Sequence, residues 1–426
     1  MRYVLLSMSV NGIKNIDREI ELQFSNKILN RELDIHNQNV KAIYGPNGSG
    51  KTGIVYAVSV YQSLVLGRDF ITISNNNGFL DGLINQISKT FFIKMVFARF
   101  GEENNIAGIY SHSFTIKNDD GKCYIKNEEF KELHGLRLKT ESKWETIYSV
   151  QDGELLDCNS NVLYLATKNL LKKQSLSSIG YEEFINYYPA NKKDVTMFAK
   201  ISNTWNFALR LRALFNSYYD NYNNNYGDNL FTQFLDNQRN EYIVPKDMFS
   251  LFEQRIDRLT SFIRVFNDDL DHIEISKDEN NDKYVCRLTL VYEDGRKIER
   301  KYESSGTKKL MDVYSGLVDA DEGKIVFIDE FDANIHDVVL VKIVDYMREY
   351  SDGQFVFTTH NLGPMDVLQN DKYAIEFLSS NSHIVTWTKM GNCSAASIYR
   401  KGYVKYSPFN IESFGFLGAF GDGTIR

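Results

Sequence analysis

The stretch Gly45-Pro46-Asn47-Gly48-Ser49-Gly50-Lys51-Thr52 constrains this chain more than any other. It fits the phosphate-binding pattern GxxxxGK[ST]. Val40, Ala42, Ile43 and Tyr44 before it read as a buried strand, and Ile54, Val55, Ala57, Val58 and Val60 after it as a buried helix. That context is the one the pattern needs. Glycines let successive backbone N–H groups curl around phosphates, and a helix N-terminus adds partial positive charge. Lys51 is then placed to reach the β- and γ-phosphates of a nucleotide, and the Thr52 hydroxyl to hold Mg2+.

A second apolar strand, Ile325-Val326-Phe327-Ile328, ends in Asp329-Glu330. An acid at such a strand end organises Mg2+ in nucleotide hydrolases, which assigns Asp329 to the metal. Glu330 falls where a residue would orient or deprotonate the attacking water. One helix later, Phe355-Val356-Phe357-Thr358-Thr359-His360 reads as another buried strand, and its His360 is either a polar strand end or the γ-phosphate-sensing histidine that one ATPase class carries at this place. Glu303-Ser304-Ser305-Gly306-Thr307 is a small-residue turn opening a helix, a local structure that offers N–H groups and hydroxyls to an anion.

The rest of the chain sets bounds. Its 426 residues suffice for one large domain or two to three ordinary ones, and 43% hydrophobic content supports a real core. A net charge of −7 confines any nucleic-acid contact to a local patch. Four scattered cysteines without a CxxC pair argue against a zinc or disulfide framework and for a reducing cytoplasm. Arg2 and Tyr3–Val10 read as a first strand rather than a leader, and no apolar run spans a bilayer. Strands are expected at 1–10 and 19–24. Hairpins are expected around Asp120-Gly121, Asp152-Gly153 and Asp294-Gly295. From 162 to 267 the spacing turns helical, with Leu163/Ala166/Leu170/Leu171, Phe207/Leu211/Leu214/Phe215 and Phe252/Ile256/Leu259/Phe262 as sets.

Taken together, these elements resemble the ABC-type ATPase head of the SMC/Rad50 kind. Ser304-Ser305-Gly306-Thr307 resembles that family's signature, with Ser304 and Gly306 at the phosphate-contacting positions. Asp332–His336 resembles the loop that crosses to a partner subunit. Within this class, Glu303–Thr307, Ile328–Glu330 with His336, Thr358–Asn361 and the opening Ser9–Lys14 resemble short ABC ATPases of bacterial phage-defence and abortive-infection systems. These are related to the overcoming-lysogenization-defect (OLD) family and to the ATPase subunit of the PARIS defence system. Gly12 departs from the family's usual aromatic residue, Ser305 replaces a glycine, and no glutamine loop is evident, although Gln86 lies in the region.

The resemblance implies an α/β fold, with a mixed β-sheet core and helices. It divides into an N-terminal half-head (1–160), a largely helical insertion (161–270) and a C-terminal half-head (271–426). It also implies ATP and Mg2+ as cofactors. Two copies would form a homodimer in which each ATP lies between Gly45–Thr52 of one subunit and Ser304–Gly306 of the other. The expected catalytic residues are Glu330, Lys51 and His360. The expected role is the sensor or regulatory subunit of a cytoplasmic antiviral system, controlling a separate nuclease or toxin and answering a phage protein or DNA. The competing reading is a RecF/Rad50-like repair ATPase acting directly on DNA.

The middle of the chain excludes a long coiled-coil arm, because no heptads are sustained there. Arg210, Arg212, Lys168, Lys172 and Lys173 read as a solvated basic face, with nucleic-acid contact the alternative. Arg31–His36 matches a loose RxxxxH ribonuclease pattern by chance. Asp268, Asp269 and Asp271 read as a charged turn. Phe409, Phe414, Phe416 and Phe420 mark a tail that packs on the core or docks a partner.

Overall fold

A computed structural model describes residues 2–30, 39–101, 105–157, 168–186, 192–215, 235–236, 240–388 and 394–404. Strand β1 (Arg2–Asn11) pairs antiparallel with β2 (Ile20–Gln23), and β3 (Val40–Tyr44) runs into the phosphate loop and helix α1 (Lys51–Leu66). Short helices α2 (Phe70–Asn77) and α3 (Phe79–Leu83) lead to β4 (Thr90–Phe100), β5 (Ile106–Asp119), β6 (Lys122–Leu133), β7 (Trp144–Gln151) and β8 (Glu154–Asp157). These strands form a sheet of order β2-β1-β4-β5-β6-β7-β8. Its two-residue turns, Asp120-Gly121 and Asp152-Gly153, have positive φ at both positions, as tight hairpins demand.

Helices α4 (Lys168–Leu171), α5 (Leu176–Asn186) and α6 (Lys192–Ala208) follow, then β9 (Leu211–Leu214). A second antiparallel sheet holds β10 (Leu235–Asp236), β11 (Glu241–Pro245), β12 (Leu270–Asn280), β13 (Lys283–Tyr292) and β14 (Lys297–Glu299), with α7 (Phe249–Arg264) packed on β12. The amphipathic spacing of α7 buries Phe252, Ile256, Leu259 and Ile263. Then come α8 (Ser305–Asp321), β15 (Ile325–Ile328), α9 (Asp337–Tyr350), β16 (Gln354–Thr358), α10 (Gly363–Leu368), β17 (Ile375–Leu378), β18 (Ile384–Thr386) and α11 (Ala395–Arg400).

The central sheet has order β18-β17-β3-β16-β15-β9, parallel except at β18. β3, β15 and β16 are buried along their whole length, which is why they read as unbroken apolar runs. Every residue of α1 except Thr52 is buried. One core cluster joins α1 to the first antiparallel sheet and α6, and a second joins the central sheet to α7, α8 and α9. Parallel order brings the ends of β3, β15 and β16 to one edge, where ligands bind in sheets of this type.

One segment corrects the sequence reading. Phe207, Leu211, Leu214 and Phe215 do not share a helix. Helix α6 ends at Ala208, and Leu211–Leu214 pairs in parallel with β15. A stretch as short as Leu211-Arg212-Ala213-Leu214 fits both periods, and pairing with the acidic strand decides between them. Arg212 is likewise not on a basic face. It is buried, with Nε 3.0 Å from Asp319 Oδ2. The Arg31–His36 pattern and the aromatic tail lie outside the described residues. Among the described residues no helix is long and apolar enough to cross a membrane.

Candidate active site

The phosphate loop closes tightly between β3 and α1. Gly48 and Gly50 have φ of 78° and 101°, conformations that admit glycine and few other residues. A side chain at Gly50 would also meet Ile16, whose Cγ1 would be 2.6 Å from a Cβ there. Lys51 Nζ donates to the carbonyls of Gly45 (2.8 Å) and Pro46 (3.1 Å) in its own loop. Ser49 Oγ is buried and has no hydrogen-bond partner among the described residues.

A pocket of about 600 Å3 opens in front of this loop. Asn47–Gly53 form one wall, Gly82–Gln86 another, and Lys14, Asn15, Glu330 and His360 complete it. Lys14, the last residue of the family-like opening, and Asn15 lie on the bend after β1, and neither is among the site residues expected from the sequence. Asn15 Nδ2 donates to Gly48 O at 2.7 Å, and Asn85 Nδ2 donates to Lys14 O at 2.9 Å, so this bend ties the phosphate loop to the 82–86 wall. Gln86 also lines the pocket, and its Nε2 donates to Asp81 O at 2.9 Å.

The acidic strand and the histidine strand are joined by Thr358. Its hydroxyl donates to Asp329 Oδ1 at 2.6 Å and accepts from Glu330 N–H at 2.8 Å. Glu330 itself is left-handed (φ 45°), a sparsely populated state for a glutamate that turns the chain sharply after β15. Asp332 binds the other strand end. Its Oδ2 accepts from the N–H groups of His360 and Asn361, both at 3.1 Å. Asn361 in turn donates to Asp337 Oδ1 at 2.5 Å. Two strand ends are thus stitched into one edge facing the pocket.

Burial sets the charges. Asp329 is pushed above the usual carboxylate range by desolvation, and hydrogen bonds from Thr358 and Thr52 pull it back down. Burial lowers the Lys51 ammonium, against the raising effect of Asp329, Glu330 and Asp332. His360 is lowered by burial and then by Lys51, which favours a neutral imidazole at neutral pH.

Within one chain the pocket gathers only part of the predicted set. Asn47–Thr52, Glu330 and His360 line it, and Asp329 stands behind it on Thr52. Ser304, Ser305 and Gly306 do not line it. They form the N-terminus of α8, where Ser304 Oγ accepts from Thr307 N–H at 3.1 Å. Glu303 braces this turn, accepting from Tyr292 Oη–H at 2.6 Å and from Ser304 N–H at 3.1 Å.

The cradle fits a triphosphate: the orphaned Ser49 hydroxyl and the Lys51 ammonium both border the pocket. Among the described residues no group of three or more His, Cys, Asp or Glu is arranged to hold a metal alone. Thr52 with Asp329 suits Mg2+, which takes most of its ligands from phosphate and water.

A family model described as "AAA domain, putative AbiEii toxin, Type IV TA system" matches residues 40–366. None of the curated proteins compared matches the sequence. Among solved structures, the chain is similar to an Smc head bound to the C-winged helix domain of ScpA, at 13% identity over 90% of this chain and 98% of that one, with a TM-score of 0.44. It is similar to the SMC head domain from Thermotoga maritima at 16% identity, over 91% and 100% of the two chains, with a TM-score of 0.34. It is also similar to an Smc head with an extended coiled coil from Pyrococcus furiosus, bound to the C-terminal domain of ScpA. That match has 12% identity over 91% and 96% of the chains and a TM-score of 0.43.

Proposed function

The chain belongs to this AAA domain family of AbiEii toxin type, and we propose that it is a P-loop ATPase head of the ABC type, an ATP-binding and ATP-hydrolysing switch completed by a second copy of itself. One observation carries the reading. Lys51, Glu330 and His360 share a pocket, whereas the anion-ready turn Ser304–Gly306 lies outside it. A turn of that chemistry that does not reach its own pocket suits a head-to-tail pair, each copy lending its turn to the other's nucleotide.

In this reading the N–H groups of 47–52 and Lys51 hold the β- and γ-phosphates. Thr52 and Asp329 hold Mg2+, which supplies charge neutralisation to the triphosphate when bound. Glu330 orients the water and takes its proton, placed by the Thr358 hydroxyl on its backbone N–H. Neutral His360 donates an N–H to the γ-phosphate and reports its presence to Asp332 through the backbone.

The family description supports a place in a bacterial toxin–antitoxin or abortive-infection system. There the nucleotide-joined pair would hold or release a separate nuclease or toxin in a cytoplasmic antiviral response to a phage protein or DNA. A ligand at ~100 times its dissociation constant biases a conformational equilibrium by ~2.7 kcal/mol, enough for such control.

Glu330→Gln tests the chemistry. The variant is expected to bind ATP normally, accumulate the ATP-joined dimer and lose turnover by at least about 100-fold. Normal hydrolysis by this variant would remove Glu330 from its role.

A further inference from the structure

Helix α8 carries the signature turn at its N-terminus and packs on β15, the strand that ends in Asp329-Glu330. Its inward stripe at helical spacing is Gly306, Lys309, Leu310 and Val313. Lys309 is thus a lysine within an otherwise apolar stripe, and it is only 7% exposed. Lysine is almost never buried without compensating charge. The compensation here is acidic and comes from two directions. Burial lowers the Lys309 ammonium, and the field of Asp312, one turn along α8, and of Asp329, Glu330 and Asp332, in the loop beyond β15, works against that lowering. The same face of the helix touches that loop directly. A Cβ on Gly306 would lie 2.8 Å from Asn334 O, so the turn and the acidic loop have no slack between them. Behind Lys309, buried Arg300 pairs with Asp312 and with Asn240, fixing the helix to the second antiparallel sheet.

We infer that Lys309 is a positioning residue, an internal cation that holds the acidic loop 329–332 against the signature helix of the same subunit and offsets its charge beside the triphosphate. The inference rests on the nucleotide reading and deepens it. Three carboxylates beside the pocket attract metal and repel a triphosphate. A buried cation in their midst moderates both effects. It also joins two things that the dimer needs set together: the acids that serve the subunit's own nucleotide and the turn that serves its partner's.

This account makes metal and nucleotide affinities move in opposite directions, which a general loosening of packing does not do. The test compares wild type, Lys309→Gln and Lys309→Arg in two titrations: a fluorescent N-methylanthraniloyl ATP in EDTA, and Mn2+ alone followed by electron paramagnetic resonance. Lys309→Gln is expected to bind the metal-free nucleotide about tenfold more weakly and Mn2+ several-fold more tightly. Lys309→Arg, which keeps the charge, is expected to stay within about threefold of wild type in both. If the glutamine variant does not fold, Lys309→Met fills the same apolar slot and carries the same expectation.

Unchanged affinities in Lys309→Gln, or parallel weakening of both ligands in the Gln and Arg variants alike, would overturn the inference. A wild-type chain that binds no nucleotide analogue would instead overturn the nucleotide reading. The Mn2+ comparison would still decide whether Lys309 offsets the acidic loop.

Discussion

Replacing Thr358 by Val leaves the shape of a fully buried side chain and removes one oxygen. That oxygen makes two bonds that the site depends on: 2.6 Å to the Asp329 carboxylate and 2.8 Å from the Glu330 N–H. A neutral hydrogen bond contributes about 1 kcal/mol net and one to a charged group about 1.5–3 kcal/mol, so the loss at neutral pH is about 2.5–4 kcal/mol. By differential scanning calorimetry this corresponds to a melting temperature lower by several degrees. The sign with pH follows from the bond to ionised Asp329. The penalty is full above that group's raised pKa and shrinks as pH falls through it, because a protonated carboxyl no longer draws on the hydroxyl in the same way. Activity should fall further than stability suggests. With the linker gone, Asp329 and Glu330 lose their common anchor, and a 10–100-fold drop in kcat is expected, typical of removing the support of a metal ligand. Thr358 also holds the Asp329 pKa down against burial, so the acid limb of the metal-dependent rate should move to higher pH in Thr358→Val. Thr358→Ser keeps the oxygen and should restore most of each quantity. A Thr358→Val enzyme with wild-type kcat and an unmoved acid limb would refute the claim that this hydroxyl organises the site.

Other perturbations separate function from stability. Asp329→Asn should raise the melting temperature of the nucleotide-free protein by roughly a few degrees, because burial disfavours the charge that the amide removes, while Mg2+-dependent turnover is lost. Gly45→Ala places a Cβ 2.3 Å from Leu378 O and 2.7 Å from Ser49 Oγ; nucleotide affinity measured by fluorescence titration should fall at least about tenfold as the loop is forced off β17. Glu128, buried beneath α5, accepts from Tyr148 Oη–H (2.7 Å), Leu176 N–H (2.6 Å) and Ser177 N–H (3.1 Å). Glu128→Gln turns an amide N–H2 toward these donors and should cost about 3 kcal/mol in denaturant unfolding, with ATP affinity in the surviving folded protein little changed.

The residues legible in sequence were those whose chemistry is local. Gly45–Thr52 announces itself because glycines, lysine and a hydroxyl must occur at fixed spacing. Asp329 and Glu330 are visible because a fully buried strand ends in two charges. The missed features depend on which chain segments meet. Leu211–Leu214 is too short to declare its period and becomes β9 by pairing with β15. Lys14 and Asn15 reach the pocket because the bend after β1 packs, through Ile13 and Ile16, on Gly50 and Gly53 at the start of α1. Thr358 resembles any strand-terminal threonine until β16 lies beside β15. Asp332, read only as part of a crossing loop, proves to clamp the backbone of His360. Arg212 looked like a surface charge and is buried because Asp319 on α8 meets it.

The central claim is that each site takes its phosphate loop from one copy and its Ser304–Gly306 turn from another. Mixing two inactive chains tests it most directly. Lys51→Ala destroys the loop half, and Ser304→Arg blocks the turn half. Each homodimer should be dead, but a mixed dimer retains one site with both halves intact. After subunit exchange at equal concentrations, ATP hydrolysis should return to about a quarter of the wild-type rate, since half of the dimers are mixed and each of those holds one sound site of two. A mixture that stays inactive although the chains exchange, or a Ser304→Arg chain that hydrolyses ATP alone, would contradict a site shared between two copies.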